Sequence, residues 1–593
     1  MPVLLLVATL ALVVTTARVS LLRATKVFWT VMVIVPATLV APNPLTSAAT
    51  VTRLVLLAIV VNIVLRARRG EIVVADLVPT RAVASVVPLV VVALVDGMAL
   101  AVSGVNARGA LIGWLDYVDP LLCLWIGLVL TRALGPREFA KAASVGLLAS
   151  VGIAALEKLT RHSWGHLLFS GERSQLGQDA AHPLSLRAGT VRVRAGAEFA
   201  LEFGWIVAML APLILVLLVT GGRRVRRLML PVAAVLVLAV YWSVTRSAII
   251  AIALTLPLLA VPARDRRLVR YSALGGVAVV GAVLLFPSAV SVLSTKVAQG
   301  SIDVRGQRLP LVLGYAAPRP WTGLGLGGLD VHGLPTTDTS YVLTYAQLGV
   351  VGLCALGFAV IIVLGRAIAA LRSSAVELRL FAAAVVLTLV TSLIGAAAFD
   401  LFEIVGSARV FWLVAGMGLA IAELGLPRSP RVWQPVRLGV ALGAGALGCG
   451  AGLLTVAWWP RHSVASFRLQ SLTGAAYAAP FDDTQNGNRA IATACNLITG
   501  VVPGHVTCRN TYRGLGAGEV RFVARDVATL TRDTQQAGAL LQAAGRDGSG
   551  FAIESVTARA IPTAVRTAPL WCPALVATLV LVGPSPARRR MRP

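Results

Sequence analysis

The chain has 593 residues, 57% of them hydrophobic and only 13% charged, with a mean hydropathy of +0.82. A soluble protein carries roughly twice that charged fraction, so a water-soluble globular fold is excluded. The formal charge of +27 would point to nucleic acid in a soluble chain. Here it fits membrane-flanking loops that obey the positive-inside rule, and no nucleic-acid partner is implied.

A helix crossing the hydrocarbon needs about 20 mostly apolar residues. Long continuous apolar runs, rather than alternating ten-residue segments, select helices over a barrel. In chain order, spans are expected at 3–17, 27–41, 51–65, 82–103, 116–134, 142–158, 198–220, 228–244, 247–262, 272–290, 340–362, 378–398, 409–426, 437–459 and 569–583. The fold class is an all-α polytopic membrane protein with about 14–15 transmembrane helices. The first run has no basic stretch before it, and its Arg residues follow it. It reads as a span with its N-terminus outside, not as a signal peptide.

Segments 18–26, 66–81, 131–141, 223–227, 264–270, 366–379, 428–437 and 588–592 hold more than half of the 53 Lys and Arg. All fall on one side when the spans alternate, which assigns that side and the C-terminus to the cytoplasm of a multi-pass cytoplasmic (inner) membrane protein. On the other side, short loops carry Arg53, Arg108, Arg246 and Arg409. Two long outer loops, 159–197 and 291–339, break the charge pattern: Arg161, Arg173, Arg187, Arg192 and Arg194 lie in one, and Lys296, Arg305, Arg308 and Arg319 in the other. Guanidinium is the preferred fork for phosphate oxygens, although long loops also escape the charge rule with no ligand involved.

Residues 1–436 therefore form a membrane core. Residues 437–593 form two spans bracketing a polar region, 460–568, read as a small extracytoplasmic α/β domain. Within it, 519–545 reads as a strand running into an amphipathic helix, and 484–499 as another helix. Cys495 and Cys508 lie in this polar stretch and are a disulfide candidate, with two free thiols as the alternative. No cysteine pair has metal-ligand spacing.

Three outer segments carry candidate chemistry. YWSVTRSAII (241–250) puts Arg246 in a tight turn, at the interface rather than in the hydrocarbon, where it is either a ligand or a snorkelling Arg. DVRGQRLPLVLGYAAPRPWTGLGLGGLDVHG (303–333) holds Arg305, Arg308 and His332, with Gly323 and Gly325 in a Gly-rich turn lining a cavity. DTSYVLTYAQLGVVG (338–352) opens a helix that Asp338, Thr339 or Ser340 is expected to cap, with Tyr341 on its first turn.

Together these segments resemble the O-antigen ligase and O-antigen polymerase superfamily of envelope glycosyltransferases. The resemblance rests on Thr245-Arg246-Ser247 between two spans and on Arg305 to Leu309 followed by Pro320-Trp321-Thr322-Gly323-Leu324-Gly325. It rests also on Tyr341 with Gly349-Val350-Val351-Gly352, and on an earlier Arg187-x-Gly189-Thr190 element. It covers about residues 50–425. The chain departs from the ligases at the helix start, where Asp338-Thr339 stands in place of His-Asn. Asp338 followed by Ser340-Tyr341 is closer to the polymerases, while His332 is an alternative to the missing His.

The resemblance implies a substrate, a glycan on polyprenyl diphosphate at the outer face, passed to a glycan or lipid acceptor with diphosphate as leaving group. Arg305, Arg246, Arg187 and Arg308 are the expected diphosphate ligands, Asp338 or His332 the expected catalytic base, and Tyr341, Gly323 and Gly325 the cavity lining. Apart from Asp482-Asp483 in the separate polar region, no acidic cluster in the outer loops suits a divalent ion, so transfer is expected to need no metal or cofactor. Membrane lipids and other envelope glycan-assembly proteins are the expected partners. Residues 437–593 resemble, more weakly, polysaccharide chain-length regulators, with Pro562, Pro569 and Pro573 approaching the last span. Two readings from other classes stay open: a transporter or flippase for lipid-linked or soluble solute, and a non-catalytic membrane scaffold.

Overall fold

The computed structural model describes residues 2–37, 50–73, 77, 86–87, 89–93, 107–164, 186–187, 190–197, 199–223, 227, 236, 238–243, 245, 247–252, 312–313, 316–317, 319–326, 339–397, 399–425, 463–471, 505–510, 517–524 and 551–559. The helices are α1 (Pro2–Arg18), α2 (Leu21–Ile34), α3 (Val51–Arg68), α4 (Ala107–Leu134), α5 (Pro136–Thr160), α6 (Ala200–Thr220), α7 (Ser340–Ala370), α8 (Val376–Ala396) and α9 (Val405–Gly425). A two-stranded hairpin, β1 (Leu186–Arg187) with β2 (Thr190–Val191), stands between α5 and α6. Six of the described helices are long and apolar enough to cross a membrane: Gly113–Leu134, Pro136–Thr160, Ala200–Thr220, Ser340–Ala370, Val376–Ala396 and Val405–Gly425. The protein is a multi-pass helical membrane protein.

Local sequence explains the helix ends. Thr50 caps α3, its Oγ1 accepting the Arg53 N–H at 3.3 Å. Gly135, at φ +82°, turns the chain from α4 into α5, and Pro136 at the first helical position costs no hydrogen bond there. The α7 start departs from the expected cap: Thr339 holds the N-cap position without a side-chain capping bond.

The apolar span of α9 is wholly buried, and it packs against α4, α6, α7 and α8. Its closest approach is to α4. A Cβ on Gly127 would lie 2.2 Å from the Leu413 carbonyl oxygen, and one on Gly416 2.1 Å from that of Leu124. Small residues let two membrane helices bring their backbones together in this way. At one end of the bundle basic residues meet their partners: Arg132 Nη2 lies 2.6 Å from Glu423 Oε2 across α4 and α9. Asn62 donates to the Thr16, Ala17 and Val19 carbonyls that close α1, and Arg66 to Val19 O at 2.8 Å. Arg23 and Lys26 stand on α2 rather than in a loop.

Farther along the chain, strands β3 (Ser463–Ser471), β4 (His505–Asn510), β5 (Ala517–Ala524) and β6 (Phe551–Arg559) form an antiparallel sheet in the order β4-β5-β3-β6. The helices expected at 484–499 and after 524, and the spans at 437–459 and 569–583, lie outside the described residues.

Candidate functional site

The Gly-rich turn does more than bend the chain. Helix α7 is interrupted at Gly349, whose φ of +65° and ψ of −167° are not helical. An unbroken helix would join the Val350 and Val351 N–H groups to the Ala346 and Gln347 carbonyls. Instead Val350 N–H donates to Pro320 O at 2.8 Å and Val351 N–H to Trp321 O at 3.3 Å. The two released carbonyls accept from Leu324 N–H at 2.7 Å and Gly325 N–H at 2.8 Å. Two intrahelical bonds are thus exchanged for four bonds to residues 320–325, so no backbone group in this exchange is stranded in apolar surroundings. The fit leaves no room for side chains. A Cβ on Gly349 would sit 2.2 Å from the Trp321 carbonyl, and one on Gly323 2.5 Å from that of Gln347. Trp321 is 52% exposed beside the break.

A seam of polar contacts runs from this turn across one end of the bundle. The Gln347 amide lies against the Glu403 carboxylate, and with its nitrogen assigned to the side facing Glu403 it donates to both carboxylate oxygens at 3.2 Å. In the segment joining α8 to α9, which carries Glu403, Phe402 N–H donates to Ser340 Oγ at 3.1 Å, and Ser340 Oγ donates to Phe399 O at 3.1 Å. Ser407 N–H, in the first turn of α9, donates to Glu202 Oε1 at 3.1 Å. Glu202 opens α6, and a carboxylate there favours the positive end of the α9 dipole. Thr245 Oγ1 donates to Ala200 O at 3.3 Å. The neighbouring Trp242 and Ser243 carbonyls accept from Val193 N–H at 3.2 Å and Arg192 Nε at 3.3 Å. Glu157, fully buried at the end of α5, accepts the Arg194 and Ala195 N–H groups at 2.9 and 2.8 Å. The segment after the β1–β2 hairpin is therefore fixed to the Thr245 turn.

Deeper in the bundle lies a second charged group. Arg409 of α9, 1% exposed, donates to Asp119 of α4 through Nη2 at 2.6 Å and Nε at 3.2 Å. Arg53 of α3 reaches the same carboxylate through Nε at 3.0 Å and pairs with Asp116 through Nη2. Two cations and two anions tie three helices together. Arg53 and Arg409, counted with the outer loops on sequence, belong to the first turns of helices and are consumed by this network.

Of the expected site residues, Gly323 and Gly325 form the turn just described, and Tyr341 lies 2.8 Å from Leu393 O, to which its hydroxyl donates. Arg187 stands in β1, opposite Thr190, with its side chain outside what the structure describes. Arg246 lies outside the described residues between Thr245 and Ser247, as do Arg305, Arg308, His332, Asp338 and Cys495. Cys508 is in β4 opposite Val520. Cations in and beside the first long loop also serve the fold: Lys158, in the last turn of α5, donates to Val191 O at 3.2 Å, and Arg192 Nε to Ser243 O at 3.3 Å. Asp116, Asp119, Glu157, Glu202 and Glu403 belong to no motif of the sequence. The signal was present in each case, since an acidic residue in or beside an apolar run is expensive and has a reason to be there. No protein-family model matches this chain, and no curated protein matches it.

Proposed function

We propose that the protein transfers or polymerises a polyprenyl-diphosphate-linked glycan on the outer face of the cytoplasmic membrane, as an O-antigen polymerase- or ligase-like glycosyltransferase. Single supporting weight rests on the polar seam. It links the segments that carry the resemblance, namely the hairpin of Arg187, the Thr245 turn before Arg246, the Gly323–Gly325 turn and the start of α7, although they are far apart in sequence. A site that must hold a diphosphate and an acceptor hydroxyl needs such convergence. In this reading Arg246, Arg305, Arg187 and Arg308 stabilise the departing diphosphate without a metal, and Asp338 or His332 is the base that the sequence offers. The seam end faces outside and the Arg132–Glu423 end the cytoplasm, by the positive-inside rule. The β3–β6 sheet belongs to an extracytoplasmic α/β domain that presents or measures glycan beside envelope-assembly partners.

A transporter or flippase is the second reading, favoured by the broken helix and the buried charges, both of which occur in transporters near mid-bilayer. Against it stands the position of the break: Gly349 is the tenth of the 31 residues of α7, nearer its start than the mid-span position of transporter breaks.

The deciding experiment supplies purified protein with lipid-linked oligosaccharide. Transfer should fall about 100- to 1000-fold in Arg246→Ala and Arg305→Ala, recover only in part with Lys, and persist in chelator. Normal transfer by both Ala variants, or a requirement for added divalent metal, overturns the mechanism. Passage of the intact lipid-linked glycan across vesicles without new glycosidic bonds establishes the second reading.

A further inference from the structure

The residues around Glu403 form a second polar group that the resemblance does not include. Tyr117 of α4 is 6% exposed and Thr344 of α7 fully buried. Both hydroxyls are buried without a hydrogen-bond partner among the described residues, and the Glu403 carboxylate is near enough to Tyr117 for its charge to act on the phenol. Gln347 is 8% exposed, and Glu403 alone of the four is only half-buried, so the cluster opens at the carboxylate. The same Gln347 accepts the Gly325 N–H through its main chain. The cluster is therefore held by the docked Gly turn.

Buried hydroxyls that remain unsatisfied are costly unless something else binds them. A phenol, an alcohol, an amide and a carboxylate together make a chemistry suited to the hydroxyls of a sugar. Building on the transferase reading, the geometry points to Glu403 as the base that receives the proton of the acceptor hydroxyl, in a sugar-binding site completed by Gln347, Tyr117 and Thr344. The acceptor oxygen forms the new bond to the anomeric carbon as the bond from that carbon to the diphosphate oxygen breaks. The electron pair leaves with the polyprenyl diphosphate, and the hydroxyl proton passes to Glu403 and then to solvent. In this site Glu403, before α9, takes the base role that the sequence alone offers to Asp338 or His332.

The test uses the full-length protein with lipid-linked oligosaccharide and an oligosaccharide acceptor. Glu403→Gln keeps the shape and removes the base, so kcat should fall at least about 100-fold and the acid limb of the pH–rate profile should vanish. Tyr117→Phe removes one hydroxyl and should raise the acceptor KM about tenfold with the donor KM unchanged. Glu403→Gln with kcat within about tenfold of wild type, or with its acid limb intact, overturns the assignment. If Glu403→Gln does not fold, an unchanged acceptor KM in Tyr117→Phe overturns it instead. Wild-type protein that makes no glycosidic bond defeats the transferase reading itself, whereas active wild type with indifferent variants defeats this site alone.

Discussion

Asp119 of α4 and Arg409 of α9 share two hydrogen bonds, at 2.6 and 3.2 Å, where both side chains are almost wholly buried. Arg53 shares the same carboxylate, so the pair acts as a joint between three helices. Removing one partner strands a charge, which typically costs about 3–5 kcal/mol. Asp119→Ala and Arg409→Met should therefore lower the unfolding midpoint sharply or abolish accumulation in the membrane. Glu71→Ala, which breaks the exposed Arg66–Glu71 pair, should cost less than about 1 kcal/mol. Equal effects of the inner and outer changes would show that the network is not a joint.

Gly349→Ala and Gly323→Ala place a Cβ against backbone at positive φ. Each should cost at least about 2 kcal/mol and undo the docking of residues 320–325. Gly357→Ala, later in the same helix and with open space around it, should gain about 0.5–1 kcal/mol. Thermal unfolding of the three purified variants in one detergent measures the contrast.

Glu157 offers one carboxylate oxygen to two backbone N–H groups, and hydrogen bonds to a charged group contribute about 1.5–3 kcal/mol each. Glu157→Ala should speed hydrogen exchange at Arg194 and Ala195 far more than at amides in α9. Unchanged exchange at those two amides would refute the anchoring role.

Orientation is tested by single-cysteine labelling in intact cells. An impermeant reagent should reach positions in 165–185, 296–335 and 480–560 and miss 223–227 and 366–372. Labelling within 223–227 from outside reverses the proposed topology. In the same experiment Cys495 and Cys508, if bridged, should react only after reduction.

The spans were legible because they depend on composition. The runs 198–220 and 378–398 fall within two residues of α6 and α8. α2 was misplaced: a span was expected at 27–41, but the helix runs Leu21–Ile34. On sequence Arg23 and Lys26 fall in a basic loop, yet long cationic side chains can ride on a helix while their heads reach water. The α7 start was legible in part: Thr339 takes the N-cap position, but its side chain donates to Ala396 O at 3.4 Å, a partner 57 residues away. At the site, Gly323 and Gly325 were visible as a turn. The break at Gly349 was not, because Leu348-Gly349-Val350-Val351 reads as ordinary apolar helix and the bonds that compensate for it come from residues 320–325. Glu403 and Asp119 were likewise invisible as members of clusters, because spacing along one helix cannot reveal a partner on another.

The exchange at Gly349 and Gly323 has a consequence for how this region can vary. The atoms that exclude a side chain at these positions belong to the main chain of Trp321 and Gln347. Trimming a neighbouring side chain makes no room, so no compensating replacement elsewhere can rescue a larger residue here. In a library of random variants selected for a folded chain, 323 and 349 should stay glycine independently of every other position. The side chain of Trp321, 52% exposed, remains open to change by comparison, although its backbone creates part of the constraint.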